Sequence, residues 1–266
     1  MAQPRALILT GYGINCDEET KFAFETAGAK AEIVHVNDLI GKQKKLSDYQ
    51  ILAFPGGFSY GDDTGSGNAL ANRIKNHIWD EMVAFASSDN LAIGICNGFQ
   101  VMANLGLLPA LDGNYGERKI ALMHNESAKY LDRWVDLEFH GKGPWVNGLE
   151  SMSVPIAHGE GKFFAEQKTL RLLNERGLVA CRYASRTICH YQNLPANPNG
   201  SLEDIAGITD ETGRLIGMMP HPERAIHFTH RPDWHLLKEK LKRQGLDLPS
   251  EGEALKIFRN GVDYFK

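Results

Sequence analysis

The chain is poor in several things, and each shortage removes a class of function. It has almost no surplus charge: 29 Lys and Arg stand against 33 Asp and Glu, a net of −4 at pH 7. That balance offers no basic footprint for DNA or RNA, so no nucleic-acid partner is expected. Long apolar runs are missing too, and none approaches the ~20 residues of a membrane-crossing helix. The opening Met1-Ala2-Gln3-Pro4-Arg5 leads straight into the short run Ala6-Leu7-Ile8-Leu9, without the layout of a signal peptide. Cysteine is scarce. Cys16, Cys96, Cys181 and Cys189 are widely spaced, form no Cys-x-x-Cys pair, and are too few for a disulfide framework in 266 residues. A reducing cytoplasm is the expectation, where each thiol is either a small core residue or a reactive one. There is no internal repeat and no low-complexity tract.

What is plentiful is glycine, at 27 of 266 residues, about a tenth of the chain against a typical ~7%. Such a surplus implies tight turns or backbone close to a ligand. The hydrophobic share of 42% and charged share of 23% are those of a globular protein able to bury a full core.

Element order points to an α/β fold. Leu7-Ile8-Leu9, Ile33-Val34, Ile51 to Phe54 and Leu91 to Ile95 are short apolar runs, as in strands buried on both faces of a parallel sheet. Between them, Asp17 to Ala27 reads as a helix with an acidic start, capped by Gly28. Leu70, Ile74, Ile78 and Met82 recur at helical spacing from about Gly67 to Ala86, and Phe99 to Leu105 reads as a helix closed by Gly106. Past Leu108, Trp134 to Phe139 alternates like a half-exposed strand. Ser153 to Ala157, Leu178 to Tyr183, Ile205 to Thr209 and Leu215 to Met218 read as further strands, with Asp210-Glu211-Thr212-Gly213 a hairpin turn. These should add antiparallel strands to the same sheet, so a single domain over 1–266 is expected. Helical pieces at Asp233 to Arg243 and Ser250 to about Tyr264 form a C-terminal extension over about 232–266. The second opens with the capping-box pattern Ser250-Glu251-Gly252-Glu253.

The most informative stretch is Leu91-Ala92-Ile93-Gly94-Ile95-Cys96-Asn97-Gly98-Phe99-Gln100, an apolar strand, then Gly-x-Cys-x-Gly, then a helical run. It resembles the strand–nucleophile–helix elbow of hydrolases, with cysteine in the serine place. Gly94 and Gly98 would remove side chains that crowd a nucleophile on strained backbone, and the helix N-terminus after Cys96 would favour a thiolate. The competing reading is a buried cysteine between a strand and a helix. Pro55-Gly56-Gly57, at the end of a neighbouring strand, could present bare N–H groups to an oxyanion, with the N–H of Asn97 as second donor. In Pro220-His221-Pro222-Glu223, on an extended and proline-stiffened segment, Glu223 could orient His221, and His221 could deprotonate Cys96. Each motif alone has a plain structural explanation; the three together are far more specific.

These residues resemble the class I (triad) glutamine amidotransferases over a span from Leu7 to Arg231. The cysteine and His-Pro-Glu motifs mark the superfamily. Asn15-Cys16-Asp17 belongs to the match, and the narrower Gly56-Gly57-Phe58-Ser59-Tyr60-Gly61-Asp62, His158-Gly159-Glu160-Gly161 and Asn197-Pro198-Asn199-Gly200-Ser201 are similar to its purine-biosynthetic branch, the glutaminases serving phosphoribosylformylglycinamidine synthase. The resemblance implies a flavodoxin-like three-layer sandwich with a central parallel or mixed sheet. It implies that Cys96, His221 and Glu223 hydrolyse L-glutamine, that Gly57 and Asn97 hold the oxyanion, and that Gln100 and Gly56 contact substrate. It implies a PurL-type synthetase subunit that uses ATP and Mg to convert formylglycinamide ribonucleotide, and a small PurS-type accessory subunit. This chain shows no Walker-type phosphate loop, so no cofactor is expected on it. Asn125, Ser127, Arg133, His158, Glu160 and Asn199 are expected to border the site or face the synthetase, with turns and caps as the alternative.

Asp63-Thr64-Gly65-Ser66-Gly67 departs from the family's usual sequence after Asp62. Cys16 and Cys181 read as structural, and Lys42, Lys44 and Lys45 as a solvated loop. The cluster His221, His227, His230 and His235 matches no common zinc spacing, so no metal is expected. Rival functions are another class I amidotransferase with a different acceptor, a PfpI-like stand-alone cysteine hydrolase, and a degenerate binding module. The second usually places its histidine just after the cysteine, where this chain has Asn97.

Overall fold

Short apolar runs without alternation lay down the middle of a sheet. In the computed structural model, which describes residues 3–266, the first half runs β1 (Arg5–Thr10), α1 (Asp17–Ala27), β2 (Lys30–His35), α2 (Val36–Ile40), β3 (Ile51–Phe54), α3 (Asn68–His77), α4 (Trp79–Ser87), β4 (Leu91–Ile95) and α5 (Asn97–Leu105). The second half runs β5 (Ile120–His124), β6 (Leu131–Phe139), β7 (Ser151–His158), β8 (Glu160–Ala165), α6 (Gln167–Glu175), β9 (Val179–Ala184), α7 (Thr187–Gln192), β10 (Ile205–Thr209), β11 (Leu215–Met218), α8 (Trp234–Arg243) and α9 (Leu255–Asp263).

Both halves share one nine-stranded sheet, in the order β2-β1-β3-β4-β11-β10-β9-β6-β7. The strands from β2 to β11 in that order are parallel. The rest join antiparallel, as the patterning after Leu108 predicts. The β10–β11 hairpin at Asp210 to Gly213 matters most. It turns the chain so that β11 lies parallel beside β4, and the C-terminal ends of β3, β4 and β11 become neighbours. In open α/β sheets, ligands bind at such carboxyl ends.

Three local expectations need correction, and one small sheet is unexpected. The helical spacing from Gly67 to Ala86 spans two helices, broken at Ile78 (φ −138°, ψ 29°). Ile78 stays buried through the break, so apolar periodicity cannot register it. Strand β6 does not alternate cleanly, because Asp136 is buried. Its carboxylate accepts from Ser153 Oγ at 2.7 Å and from two N–H groups in the first turn of α7, Ile188 at 2.9 Å and Cys189 at 3.0 Å. β5 and β8 form a separate two-stranded antiparallel sheet that the sequence pattern does not announce.

The last helix starts at Leu255, not at Ser250. The capping box fails because Glu253 and the backbone of Gly252 have other partners. The Glu253 carboxylate takes Arg231 Nη1 at 2.8 Å, and Gly252 N–H donates to Ile226 O at 2.8 Å. Helix α9 buries Leu255, Ile257, Phe258 and Val262. Phe258 meets Phe24 of α1 edge-on at 5.1 Å, and Asn260 Nδ2 donates to the carbonyls of Trp145 and Asn147 at 2.9 and 2.8 Å. The end of the chain therefore covers the core, whereas α8 buries no residue at all.

Candidate active site

The three motif-bearing loops leave the ends of three adjacent parallel strands. Pro55-Gly56-Gly57 follows β3, Cys96 follows β4, and Pro220-His221 follows β11. Cys96 sits at φ 51°, ψ −109°, a conformation that side-chain-bearing residues rarely adopt. Backbone strain of this kind costs on the order of 1–3 kcal/mol and is characteristic of functional turns. The Cys96 N–H donates to Met218 O at 2.8 Å, which ties the elbow to β11. The flanking glycines are needed, but not to spare the cysteine. A Cβ on Gly98 would lie 1.8 Å from the Phe54 carbonyl oxygen, and one on Gly94 would lie 2.8 Å from the backbone of Gly98. They let α5 press against the sheet.

His221 and Glu223 meet as the sequence reading expects, though not on an extended segment. Pro222 opens a single 3-10 turn over Pro222–Arg224 that curls Glu223 back onto the ring. His221 Nδ1 lies 2.6 Å from Glu223 Oε1, and both side chains are buried. His221 Nε2 is buried without a hydrogen-bond partner. Burial opposes charge on this imidazole, but the Glu223 carboxylate and the nearby Cys96 sulfur outweigh it and hold the pKa well above the usual histidine value. The Cys96 thiol is directed at the Ala157 carbonyl at the end of β7, 3.7 Å away.

Asn97 and Gln100 are both buried in α5 and bonded to each other, Nδ2 to Oε1, at 2.9 Å. Asn97 Nδ2 also reaches Asp62 Oδ1 at 3.2 Å. Gln100 Nε2 donates to the Glu160 carbonyl. The Gln100 amide is thus engaged within the protein, at the wall of a cavity of about 230 Å³ that Ser66, Asn104, Arg118 and Glu160 also line. The atypical Asp63–Gly67 loop is anchored there: Ser66 Oγ donates to Asp62 Oδ2 at 3.0 Å and Ser66 N–H to Glu160 Oε2 at 3.2 Å.

The CobB/CobQ-like glutamine amidotransferase domain family matches residues 3–265. The chain belongs to that family. This amidotransferase is 48% identical to the phosphoribosylformylglycinamidine synthase subunit PurQ of Methanococcus maripaludis, over 98% of this chain and 97% of that one. It is 41% identical to PurQ of Dehalococcoides mccartyi, over 99% and 98%. Among solved structures, a chain of PurLQS from Thermotoga maritima matches all of both chains at 31% identity with a TM-score of 0.73. A glutamine amidotransferase from the same organism, at 13% identity and a TM-score of 0.52, shares the fold alone. The likeness extends past Arg231 through α8 and α9, beyond the span the motifs cover.

Several residues expected at the border of the site make hydrogen bonds within the chain. Asn199 Oδ1 accepts from Ser201 N–H and Oγ at 3.1 and 2.7 Å, a local turn. Arg133 reaches the Pro195 and Ala196 carbonyls, and Ser127 Oγ accepts from Lys129 N–H at 3.3 Å. His158 does lie near His221. Burial, with the His221 charge adding to it, pushes its pKa down to about 3. Its Nδ1 faces Asn125 Oδ1 at 3.0 Å, and Asn125 Nδ2 is spent on the Lys129 and His158 carbonyls. His158 is therefore neutral, with Nδ1–H as donor and Nε2 a buried, unpaired acceptor.

The sequence reading missed two neighbours of the site, Cys16 and Arg224. Arg224 Nη2 donates to Cys16 Sγ at 2.9 Å, and Arg224 Nε lies 3.8 Å from Glu223 Oε1. Cys16, His221 and Glu223 are also the one set of donors among the described residues grouped tightly enough for a metal, all within 4.8 Å. The guanidinium against that group supplies the positive charge a metal would bring, which fits acid–base chemistry rather than metal binding.

Proposed function

We propose that this chain is the glutaminase subunit of a phosphoribosylformylglycinamidine synthase. The observation that carries the chemistry is the buried 2.6 Å contact of His221 with Glu223 beside Cys96, at the ends of adjacent strands. The pathway is supported by PurQ relatives alike over nearly the full length of both chains.

His221 Nε2 takes the proton of the Cys96 thiol while Glu223 holds Nδ1–H. The thiolate sulfur attacks the side-chain amide carbon of L-glutamine. The oxygen of the tetrahedral adduct is met by the N–H groups of Gly57 and Asn97; Asn97 is the first residue of α5, so its N–H has no partner within the helix. His221 then protonates the leaving nitrogen, which departs as ammonia, and Cys96 remains as a glutamyl thioester. Water, deprotonated by His221, cleaves the thioester to glutamate and restores the thiol. Asn97, Gln100 and Gly56 shape the pocket.

Ammonia passes to a PurL-type synthetase subunit, with a PurS-type accessory subunit in the assembly. The likeness to a chain of PurLQS supports this arrangement. ATP and Mg act on the synthetase, this chain carries no cofactor of its own, and the complex works in the cytoplasm.

The test is the complex reconstituted with purified synthetase and accessory subunits. Cys96→Ala abolishes glutamine-dependent amidine formation and leaves ammonia-dependent formation intact. Continued use of glutamine by that variant would remove Cys96 from the role assigned to it.

A further inference from the structure

Cys16 and Arg224 are 208 residues apart in the chain, yet their side chains meet beside His221 and Glu223. Cys16 is fully buried and fixed from several sides. Its N–H donates to Gly56 O at 3.2 Å, its carbonyl accepts from Thr20 Oγ1 at 2.6 Å, and its thiol is directed at Asn15 Oδ1 at 3.2 Å. The sulfur and the imidazole face each other across a slot left by Gly56. A Cβ there would lie 2.7 Å from His221 Cε1 and 3.1 Å from Cys16 Sγ. The sulfur accepts from Arg224 at 2.9 Å, short for an N–H···S contact and in keeping with a charge-assisted bond. The same guanidinium places Nε 3.8 Å from the buried Glu223 oxygen that holds His221. Arg224 is thus a second cation beside Glu223, behind His221, and Cys16 is the sulfur it bonds.

We infer that Cys16 and Arg224 are a coupled pair of positioning residues: the sulfur braces the His221 ring and holds the guanidinium on Glu223, so that the imidazole stays aimed at Cys96. Neither touches substrate. Both act through His221 and Glu223, as groups behind a reacting side chain commonly do. A displacement of the ring by about 1 Å is enough to cost about a hundredfold in rate. The inference rests on the catalytic reading of Cys96, His221 and Glu223.

The experiment measures kcat and KM for glutamine in the reconstituted complex, together with the rate at which a diazo-ketone analogue of glutamine alkylates Cys96. Cys16→Ala and Arg224→Gln each lower kcat and the alkylation rate by about ten- to a hundredfold, with KM for glutamine within about twofold and ammonia-dependent synthesis retained. Cys16→Ser, which can still accept from Arg224, recovers most of the loss, and Arg224→Lys recovers part. The double variant Cys16→Ala/Arg224→Gln is no slower than the worse single one, because both remove the same brace. Additive losses, or equal losses in Cys16→Ala and Cys16→Ser tracking a fall in thermal stability, would reduce Cys16 to a packing residue and overturn the inference. Should the Cys16 variants fail to fold, half-buried Arg224 decides alone: Arg224→Gln with unchanged kcat refutes it. Cys96→Ala, run in parallel, separates this failure from failure of the catalytic reading. Only the latter would leave glutamine use intact in Cys96→Ala.

Discussion

The side-chain oxygen of Asn97 accepts a hydrogen bond from the backbone N–H of Ser59 at 3.2 Å. This bond joins the helix after Cys96 to the loop after β3, and so sets the distance between the two N–H groups assigned to the oxyanion. With the Asn97 bonds to Asp62 and Gln100, one buried carboxamide ties the start of α5 to both ends of the Ser59–Asp62 turn.

Asn97→Ala is expected to lower stability by about 1–3 kcal/mol, the cost of leaving buried polar partners unsatisfied. It also lowers kcat for glutamine through the loosened loop. Urea unfolding and steady-state kinetics on the same preparation check both effects; a loss of stability without a loss of kcat would show that the loop holds its place unaided.

Cys96 occupies backbone geometry that favours glycine. Cys96→Gly and Cys96→Ala both remove the sulfur, but only glycine relieves the strain. Cys96→Gly is expected to be more stable than Cys96→Ala by about 1 kcal/mol, strain relief less the added chain entropy. Parallel denaturant curves measure the difference. A more stable alanine variant would mean that the elbow stores no strain.

His158 has a folded-state pKa near 3, far below the ordinary 6.5. Below that ordinary value the unfolded chain binds a proton that the folded chain refuses. Stability is therefore lost as pH falls from about 6.5 toward 3, and this contribution does not vary above 6.5. Against wild type, His158→Gln is expected to show a shallower loss of unfolding free energy through that window. Its stability difference should be constant at higher pH. Unfolding titrations at a series of pH values report the slope directly.

Phe258 is buried between α9 and α1, against Phe24. Phe258→Ala is expected to cost about 3–5 kcal/mol, the range for deleting a large core aromatic. If thermal unfolding showed a change near zero, α9 would not be part of the cooperative core.

The sequence by itself determined whatever depends on neighbours in the chain. The helix at Asp17–Ala27 with its Gly28 cap, the hairpin at Asp210–Gly213 and the His221–Glu223 pair rest on contacts within a few residues, and the elbow at Cys96 shows in its local Gly-x-Cys-x-Gly motif. Their side-chain types and spacing are visible without a fold. Tertiary structure alone decided the rest, because the deciding partner is distant in sequence. The second sheet pairs Ile120 with Ala165, and Glu253 leaves its helix for Arg231. Asp136 is buried because α7 needs an acceptor at its start. Cys16, which in sequence reads as a core thiol, became a neighbour of His221 only when β1 and β11 took their places in one sheet. The surplus glycines divide the same way. Their positions in turns are legible in the sequence, but the oxygen of Phe54 against Gly98 is a fact of packing, and no local pattern encodes it.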